Sequence, residues 1–247
     1  MITQRSMSDG YLSNSFVVAD KPGGHGVLID SGGPVEPILS AIDDNDVTIT
    51  HLLLTHHHVD HVINNAVYVE RFGVDIWGHP TEREFCADIQ HDLNDGDEIV
   101  SGDLRIRALL TPGHTVGMLA LVVNDEVVFT GDTLFEGTIG GTLAPGHATY
   151  ADIKHSIMEV LMKLPPETRV CPGHTNDTTI GAEWDNNGFI RIWRGLDPEG
   201  TTSCTAFDRP ATLVLRAPDY DGGTKCWVRF DEGDHDEIVP GSKVVGD

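Results

Sequence analysis

The segment Thr55-His56-His57-His58-Val59-Asp60-His61 places five side chains of the types that bind metals within seven positions. An apolar run over residues 52–54 precedes it and predicts a buried strand. Apolar side chains at helical spacing follow it and predict a helix over residues 61–72. The histidines therefore lie on a loop between a strand and a helix.

Two neighbouring metal sites can be served by this one loop. On such a loop His56 and His58 can project to the same side, while Asp60 and His61 follow at the start of the predicted helix. Imidazole nitrogens suit zinc, iron, nickel and copper, and an added carboxylate favours a catalytic cation with an open coordination position over a closed structural site. The alternative is a solvated histidine-rich loop that binds metal only adventitiously.

Three further candidate ligands each follow an apolar strand and a glycine. They are His114 after Gly113, Asp132 after Gly131 and His174 after Gly173. Glycine lets the backbone turn sharply where a strand ends. Strand ends gathered along one edge of a sheet would bring these side chains together although they are far apart in sequence. The repeated arrangement indicates one multi-ligand metal site.

Composition limits the partners of the chain. Its 247 residues include 39 acidic and 16 basic side chains, a net charge of −23, so most of the surface repels a nucleic-acid backbone or an anionic membrane. We therefore expect neither as a partner. Residues 1–9 lack the apolar core of a signal peptide, and no apolar run approaches the roughly 18 residues of a membrane span. These features predict a cytoplasmic protein.

Apolar periodicity outlines the other elements of the first 190 residues. The pattern predicts a hairpin over residues 15–30, a short helix over 35–42 and a β-meander over 99–130. Residues 149–164 have a helical period, which begins at the capping-box pair Thr149 and Asp152 and ends before Pro165-Pro166.

Beyond residue 190 the pattern changes to short alternating runs around a glycine-rich turn. We predict three parts of the chain: a catalytic domain over residues 1–190, a linker over 191–204 and a small β module over 205–247.

Taken together, the ligand motifs resemble those of the metallo-β-lactamase-fold hydrolases, and specifically of their glyoxalase II-like branch. The matching motifs are His-x-His-x-Asp-His at 56–61, Thr-Pro-Gly-His at 111–114, Thr-Gly-Asp at 130–132 and Pro-Gly-His at 172–174. The resemblance extends over residues 12–185, with Asp30 at the family's early strand end. It implies an α/β fold, a four-layer αβ/βα sandwich, here followed by the small C-terminal β module.

The resemblance also implies a dinuclear centre of two divalent metal ions, zinc in the first instance, with iron or manganese as alternatives. In the family arrangement the ligands are His56, His58 and His114 for the first metal, Asp60, His61 and His174 for the second, and Asp132 for both. His57 points elsewhere in that arrangement.

The implied reaction is hydrolysis of a thioester or related acyl bond in a small-molecule substrate by a hydroxide that bridges the metals. Asp60 is the implied catalytic residue, which orients the hydroxide and shuttles its proton. The glyoxalase II-like branch often has Gly-x-Gly-Arg after the bridging aspartate, whereas residues 137–142 here contain no arginine. A clamp for glutathione is therefore missing at that place. The acyl group, the leaving group and the oligomeric state stay open.

Two other enzymes of the same fold remain as alternatives. A lactonase is consistent with every ligand. A mononuclear iron dioxygenase acting on persulfides would use the positions of His56, His114 and Asp132, although the Pro-Gly-His motif favours a second metal. Flavodiiron-type reductases place Glu where His58 stands, and a nuclease is disfavoured by the net charge of −23.

A non-enzymatic alternative concerns the C-terminal module. Trp227 and Tyr220 near its turn could bind a partner protein or peptide. The competing interpretation is a lid or an oligomer contact packed against the first domain.

Overall fold

The computed structural model describes residues 1–233 and 235–246. The chain forms two compact units. The first contains Met1–Leu110, Gly117–Gly131 and Cys171–Thr175, and the second contains Thr111–Val116, Asp132–Val170 and Asn176–Asp247. The predicted β module includes Asp234 and Asp247, which lie outside the described residues. Within the described part of the chain, no helix has both the length and the apolar character needed to cross a membrane.

The first unit contains a six-stranded sheet whose strands lie in chain order. Its strands are β1 (Ile2–Met7), β2 (Asn14–Ala19), β3 (His25–Ile29), β4 (Thr48–Leu53), β5 (Ile76–Gly78) and β6 (His91–Asp92). The first three strands pair antiparallel, and β3 to β6 run parallel. The predicted opening hairpin is therefore confirmed as β2 and β3.

A second sheet contains the predicted meander. Its strands are β7 (Glu98–Ser101), β8 (Leu104–Leu110), β9 (Leu119–Val123) and β10 (Val127–Gly131). They pair antiparallel, and β13 (Arg169–Pro172) follows β10 in the sheet order. The end of β13 lies in the first unit and its beginning in the second.

Alternate side chains of the first sheet face two different cores, as the two-residue period of a strand requires. Phe16 and Val18 belong to a cluster shared with β8, β9 and β10, whereas Val17 lies in a second cluster with the helices. The central strands are buried on both faces, which explains why they are continuous apolar runs in the sequence.

The helices of the first unit cover the outer face of the first sheet. They are α1 (Val35–Asp44), α2 (Val59–Val62), α3 (Asn65–Phe72) and a 3-10 helix, Pro80–Glu84. The single helix predicted over residues 61–72 is wrong, because the chain is interrupted at Asn64. The Asn64 side chain donates hydrogen bonds to the carbonyls of Ser31 (2.8 Å) and Gly33 (3.0 Å), and these tertiary bonds set the break.

The second unit begins with short elements and helices. They are β11 (Leu134–Phe135), β12 (Thr138–Ile139), α4 (Tyr150–His155), β14 (Thr178–Thr179), α5 (Ile180–Asn186) and α6 (Gly188–Trp193). The predicted capping box of Thr149 and Asp152 is confirmed at the start of α4. The helix predicted over 149–164 continues only as a π turn, Ser156–Val160, and a 3-10 turn, Leu161–Lys163.

The C-terminal residues form a five-stranded sheet. Its strands are β15 (Thr202–Ala206), β16 (Arg209–Pro218), β17 (Thr224–Phe230), β18 (His235–Pro240) and β19 (Val244–Val245). Their order in the sheet is β18-β17-β16-β15-β19. Buried apolar side chains, among them Val228, Phe230 and Val239, form its own core. The β structure predicted around the glycine-rich turn is confirmed by β16 and β17, while the division of the chain into domain, linker and module stays a prediction.

Candidate metal centre

The histidine loop follows β4 and is fixed from below by Asp30. This aspartate directly follows β3 and has a left-handed backbone conformation, with φ 55°, and it is almost wholly buried. Its carboxylate accepts hydrogen bonds from the main-chain N–H of Thr55 (2.8 Å), from the Thr55 hydroxyl (2.8 Å) and from Nδ1 of His61 (2.9 Å). One buried carboxylate therefore holds both ends of the loop.

These hydrogen bonds also select the tautomers of two candidate ligands. The Thr55 hydroxyl donates to Asp30, so it accepts from Nδ1 of His56 at 3.0 Å. Nδ1 of His61 donates to the carboxylate of Asp30. In both rings Nε2 is then left with its lone pair, which is the form that binds a metal.

The ligand atoms of the first unit lie at the spacing expected around a metal ion. Nε2 of His56 is 3.1 Å from Nδ1 of His58, and Oδ2 of Asp60 is 3.6 Å from Nε2 of both His61 and His174. With metal–ligand bonds of about 2.0–2.1 Å, tetrahedral ligand atoms lie about 3.4 Å apart. The groups of Asp60, His61 and His174 thus have the geometry of ligands that share one cation.

His174 reaches this group because its backbone is tied to two strands. The N–H of Gly173 donates to the carbonyl of Gly131 (2.8 Å), and the carbonyl of Gly173 accepts from the N–H of Asn14 (2.7 Å). Ser13 and His174 form an isolated β-bridge. This arrangement leaves the residue almost wholly buried, with a relative exposure of 2%.

Gly131 is required where β10 ends. Its φ is 48°, and a Cβ atom there would lie 2.8 Å from Cβ of Thr55 and 2.9 Å from Sδ of Met118. The predicted role of this glycine as a turn ahead of a candidate ligand is therefore supported by a close packing contact as well as by its backbone angle.

The other two candidate ligands, His114 and Asp132, lie together in the second unit. Nε2 of His114 is 3.4 Å from Oδ2 of Asp132. Nδ1 of His114 donates to the carbonyl of Gly141 at 2.9 Å, which leaves Nε2 with its lone pair. Glycine is needed at position 113, just before His114, because a Cβ atom there would lie 2.3 Å from Cβ of Ile153.

His57 is turned away from the ligand groups. Its ring stacks on Phe85 with centroids 4.4 Å apart, and its Nδ1 forms a close contact with the carboxylate of Glu82. Glu82 is buried and also accepts from the main-chain N–H groups of His57 (3.0 Å) and Gly117 (2.8 Å). This carboxylate anchors the peptide between His56 and His58 to a neighbouring loop.

A second buried carboxylate, Glu183, holds the loop that follows Asp132. It accepts from the N–H of Gly137 (2.9 Å), the Thr178 hydroxyl (2.8 Å) and the Asn187 amide (2.9 Å). Burial raises the pKa of the Glu183 carboxyl, and these three hydrogen bonds oppose the shift.

The donor set fits divalent transition metals. Imidazole nitrogens and carboxylate oxygens are their common protein ligands, and the side chains that carry them are largely buried, with His56 and His61 fully so. Nδ1 hydrogen bonds to a carboxylate, a hydroxyl or a carbonyl orient three of the histidines, as is typical of metal-binding imidazoles.

Residues 8–174 match the family model described as the Metallo-beta-lactamase superfamily. The matched span is well over half of the chain and ends at His174. The chain belongs to the metallo-beta-lactamase superfamily. The α/β sandwich fold and the family resemblance expected from the sequence are thereby confirmed. Members of this superfamily are generally hydrolases.

Relatives within the superfamily bear on its chemistry. The chain is 36% identical over 234 residues to the hydroxyacylglutathione hydrolase of Rhizobium johnstonii, covering 77% of this chain and 89% of that protein. It is 32% identical to the probable polyketide biosynthesis zinc-dependent hydrolase BaeB of Bacillus velezensis, covering 72% and 81% of the two chains. A related protein crystallised in a di-iron-bound form superposes with a TM-score of 0.63 and 30% identity, covering 74% of this chain and 98% of that one.

The sequence identified candidate ligands but not the groups that hydrogen-bond to them. Thr55, Glu82 and Gly141 carried no recognisable signal, because their partners lie far away in sequence. Asp30 did carry one: it follows an apolar strand and precedes Ser-Gly-Gly, the same context as the candidate ligands. Its side chain lies within 4.8 Å of His56 and His61, but its hydrogen bond to Nδ1 of His61 makes it a supporting group.

Proposed function

We propose that this protein is a metal-dependent hydrolase that cleaves a thioester or a related acyl bond of a small-molecule substrate. The proposed ligands are those assigned by the resemblance: His56, His58, Asp60, His61, His114, Asp132 and His174. Two divalent cations bound there would lower the pKa of a shared water towards neutrality and polarise the carbonyl of the substrate.

The observation that carries the proposal is the position of Asp60. Its Oδ2 atom lies 3.6 Å from Nε2 of His61 and 3.6 Å from Nε2 of His174. The Asp60 side chain is 18% exposed, whereas those of its two histidine neighbours are 0% and 3% exposed. Asp60 is therefore the member of this group that solvent can reach.

From that position Asp60 acts as the proton carrier of the reaction. Oδ2 faces the two imidazoles, so Oδ1 is the oxygen that accepts a proton from the attacking water and returns it to the leaving group. A carboxylate performs this step best where it is held in place and partly accessible. The buried histidines and Asp30 hold the loop that carries it.

The net charge of the chain and its similarity to named relatives support the proposed substrate class. A net charge of −23 opposes binding of a polyanion such as a nucleic acid. The relative named hydroxyacylglutathione hydrolase acts on an acyl compound of glutathione, which supports an acyl substrate, whereas the missing arginine in residues 137–142 argues against glutathione itself. Zinc is the proposed metal because one relative is named as zinc-dependent, and iron is its main competitor because of the di-iron relative.

The test is a panel of acyl thioesters, lactones and persulfides offered to the purified protein with and without a chelator. We expect chelator-sensitive thioester hydrolysis. Asp60→Asn should lower kcat by at least about 100-fold, the usual size of a general acid–base contribution. His155→Ala is the matched histidine control, since His155 is exposed on α4, and should retain wild-type turnover.

Three results would count against the proposal. Turnover of lactones alone would replace the thioesterase by the lactonase alternative. Oxygen uptake on a persulfide with one iron per chain would replace it by the dioxygenase. Asp60→Asn with unchanged kcat would remove Asp60 from the chemistry.

A further inference from the structure

The C-terminal sheet ends in an edge strand whose outward main-chain groups are covered by a loop of the same unit. β18 is the outermost strand of the sheet order, and Ile238 on it is paired with Trp227 of β17. The N–H of Ile238 donates to the Thr142 hydroxyl (3.0 Å), and its carbonyl accepts from the N–H of Thr142 (3.0 Å). Edge strands commonly need such a cover.

Thr142 is fully engaged with β18. It is completely buried, and its hydroxyl, which accepts from Ile238, donates its own proton to the carboxylate of Glu237. The hydroxyl and the main-chain N–H of Thr142 are therefore bonded to Glu237 and Ile238, two consecutive residues of β18.

The two residues before Thr142 lie directly against the candidate ligands of this unit. The N–H of Gly140 donates to the carbonyl of Thr133 (3.2 Å). A Cβ atom on Gly140 would lie 1.9 Å from the carbonyl oxygen of Asp132 and 3.2 Å from Cβ of His114. The loop has no room to shift towards the ligands, and β18 closes its other side, since a Cβ atom on Gly141 would lie 3.4 Å from the carbonyl oxygen of Ile238.

Gly141 completes the connection, because its carbonyl accepts the hydrogen bond from Nδ1 of His114 at 2.9 Å. We propose that Thr142, held by Glu237 and Ile238, is a positioning residue that fixes the Gly141 carbonyl and so aims His114 at its metal. This inference rests on the proposed function, in which His114 is a metal ligand. It gives the C-terminal β module a definite part in building the metal site.

The burial of Trp227 agrees with a role of the C-terminal β module within its own unit. Only 2% of this side chain is exposed, and its ring lies 5.1 Å from that of Tyr150. Trp227, which the sequence offered as a contact for a partner protein, is thus occupied within its own unit.

The expected size of the effect follows from how supporting residues act on metal ligands. Loss of the group that orients a metal-binding imidazole typically lowers metal affinity by about 10–100-fold. Thr142→Val keeps the shape of the side chain but removes the hydroxyl that bonds to Glu237 and to the N–H of Ile238; the main-chain bond to the Ile238 carbonyl remains. Thr142→Ser restores the hydroxyl, so it should return the affinity to within about threefold of wild type.

The experiment uses cobalt(II) as the probe on the full chain. Its dissociation constant is measured by competition with a chromophoric chelator, and its visible absorption reports the ligand geometry. Urea unfolding of the metal-free protein runs beside it to detect a purely structural loss. Thr202→Val is the matched control, because Thr202 is an exposed threonine on β15 of the same sheet.

Thr142→Val is expected to bind cobalt(II) about 10–100-fold more weakly, with an altered visible spectrum, while Thr142→Ser and Thr202→Val match the wild type. Glu237→Ala should weaken binding in the same direction, and its effect should not add fully to that of Thr142→Val, since both break one link. Wild-type affinity and spectrum in Thr142→Val would overturn the inference, even if urea stability falls. Failure of the wild-type protein itself to bind cobalt(II) would instead overturn the proposed function.

Discussion

Asp30→Asn tests whether the buried carboxylate beneath the histidine loop controls metal binding. Asparagine has the shape of aspartate and also tolerates the left-handed backbone that residue 30 adopts, with φ 55°. The substitution therefore changes the hydrogen bonding and the charge while leaving the backbone conformation accessible. One amide oxygen can still accept from the N–H of Thr55.

The NH2 group of the asparagine amide disturbs the hydrogen bonding of His61. This NH2 group would stand where Oδ2 of Asp30 now accepts from the Thr55 hydroxyl and from Nδ1 of His61. A donor facing Nδ1 favours the tautomer of His61 that carries its proton on Nε2, which is the atom 3.6 Å from Asp60. A hydrogen bond to a charged group contributes about 1.5–3 kcal/mol. That loss corresponds to metal binding weaker by about 10- to 150-fold.

The assay is competition for zinc between the protein and a chromophoric chelator at neutral pH. Asp43→Asn is the control, because Asp43 is an exposed aspartate whose ion pair with Arg71 has side chains 59% and 53% exposed. The reasoning would be refuted by Asp30→Asn binding zinc with the affinity of the control. A loss of affinity equal in both variants would also refute it, since it would reflect net charge alone.

Two further predictions concern stability. Gly131→Ala should lower the free energy of unfolding, measured by urea titration, by about 1–3 kcal/mol more than Gly73→Ala. Both glycines have positive φ (48° and 66°), but only Gly131 is crowded, by Thr55 and Met118. Equal losses in the two variants would show that crowding is irrelevant. Glu183→Gln should alter the pH dependence of unfolding of the metal-free protein, because burial raises the pKa of Glu183 above its ordinary 4.5. The contribution of Glu183 to stability is therefore complete below pH 4.5 and is lost as the pH rises through the pKa of the folded state. The stability of the wild type relative to Glu183→Gln should therefore decline from pH 4.5 upward, and a difference that stays constant with pH would contradict this.

Much of the fold could be predicted because its strands obey a simple burial rule. The central strands are apolar on both faces, and the turns between them carry Gly, Asn and Asp, so the meander over residues 99–130 was recognisable from pattern alone. β1 escaped prediction, since its sequence Ile-Thr-Gln-Arg-Ser-Met belongs to a partly exposed edge strand. α6 was also missed, although Asn187 caps it by accepting from the N–H of Phe189 at 3.1 Å, which is a signal the sequence did contain.

The candidate site divides in the same way. Its candidate ligands could be proposed from the sequence because they are chemically distinctive residues at strand ends or on the histidine loop after β4. The hydrogen bonds that select their tautomers could not, because they join residues such as Asp30 and His61, or Gly141 and His114, through tertiary structure. Main-chain carbonyl acceptors in particular are present in every residue type, so no sequence pattern identifies them.

The metal content of the purified protein tests the central claim most directly. Elemental analysis after removal of loosely bound ions is predicted to find about two divalent metals per chain, as the proposed set of seven ligands requires. His61→Ala, which removes one buried ligand of the Asp60 group, should lower that value to about one. A wild-type protein with no bound metal, or with a single iron unaffected by His61→Ala, would contradict the dinuclear account.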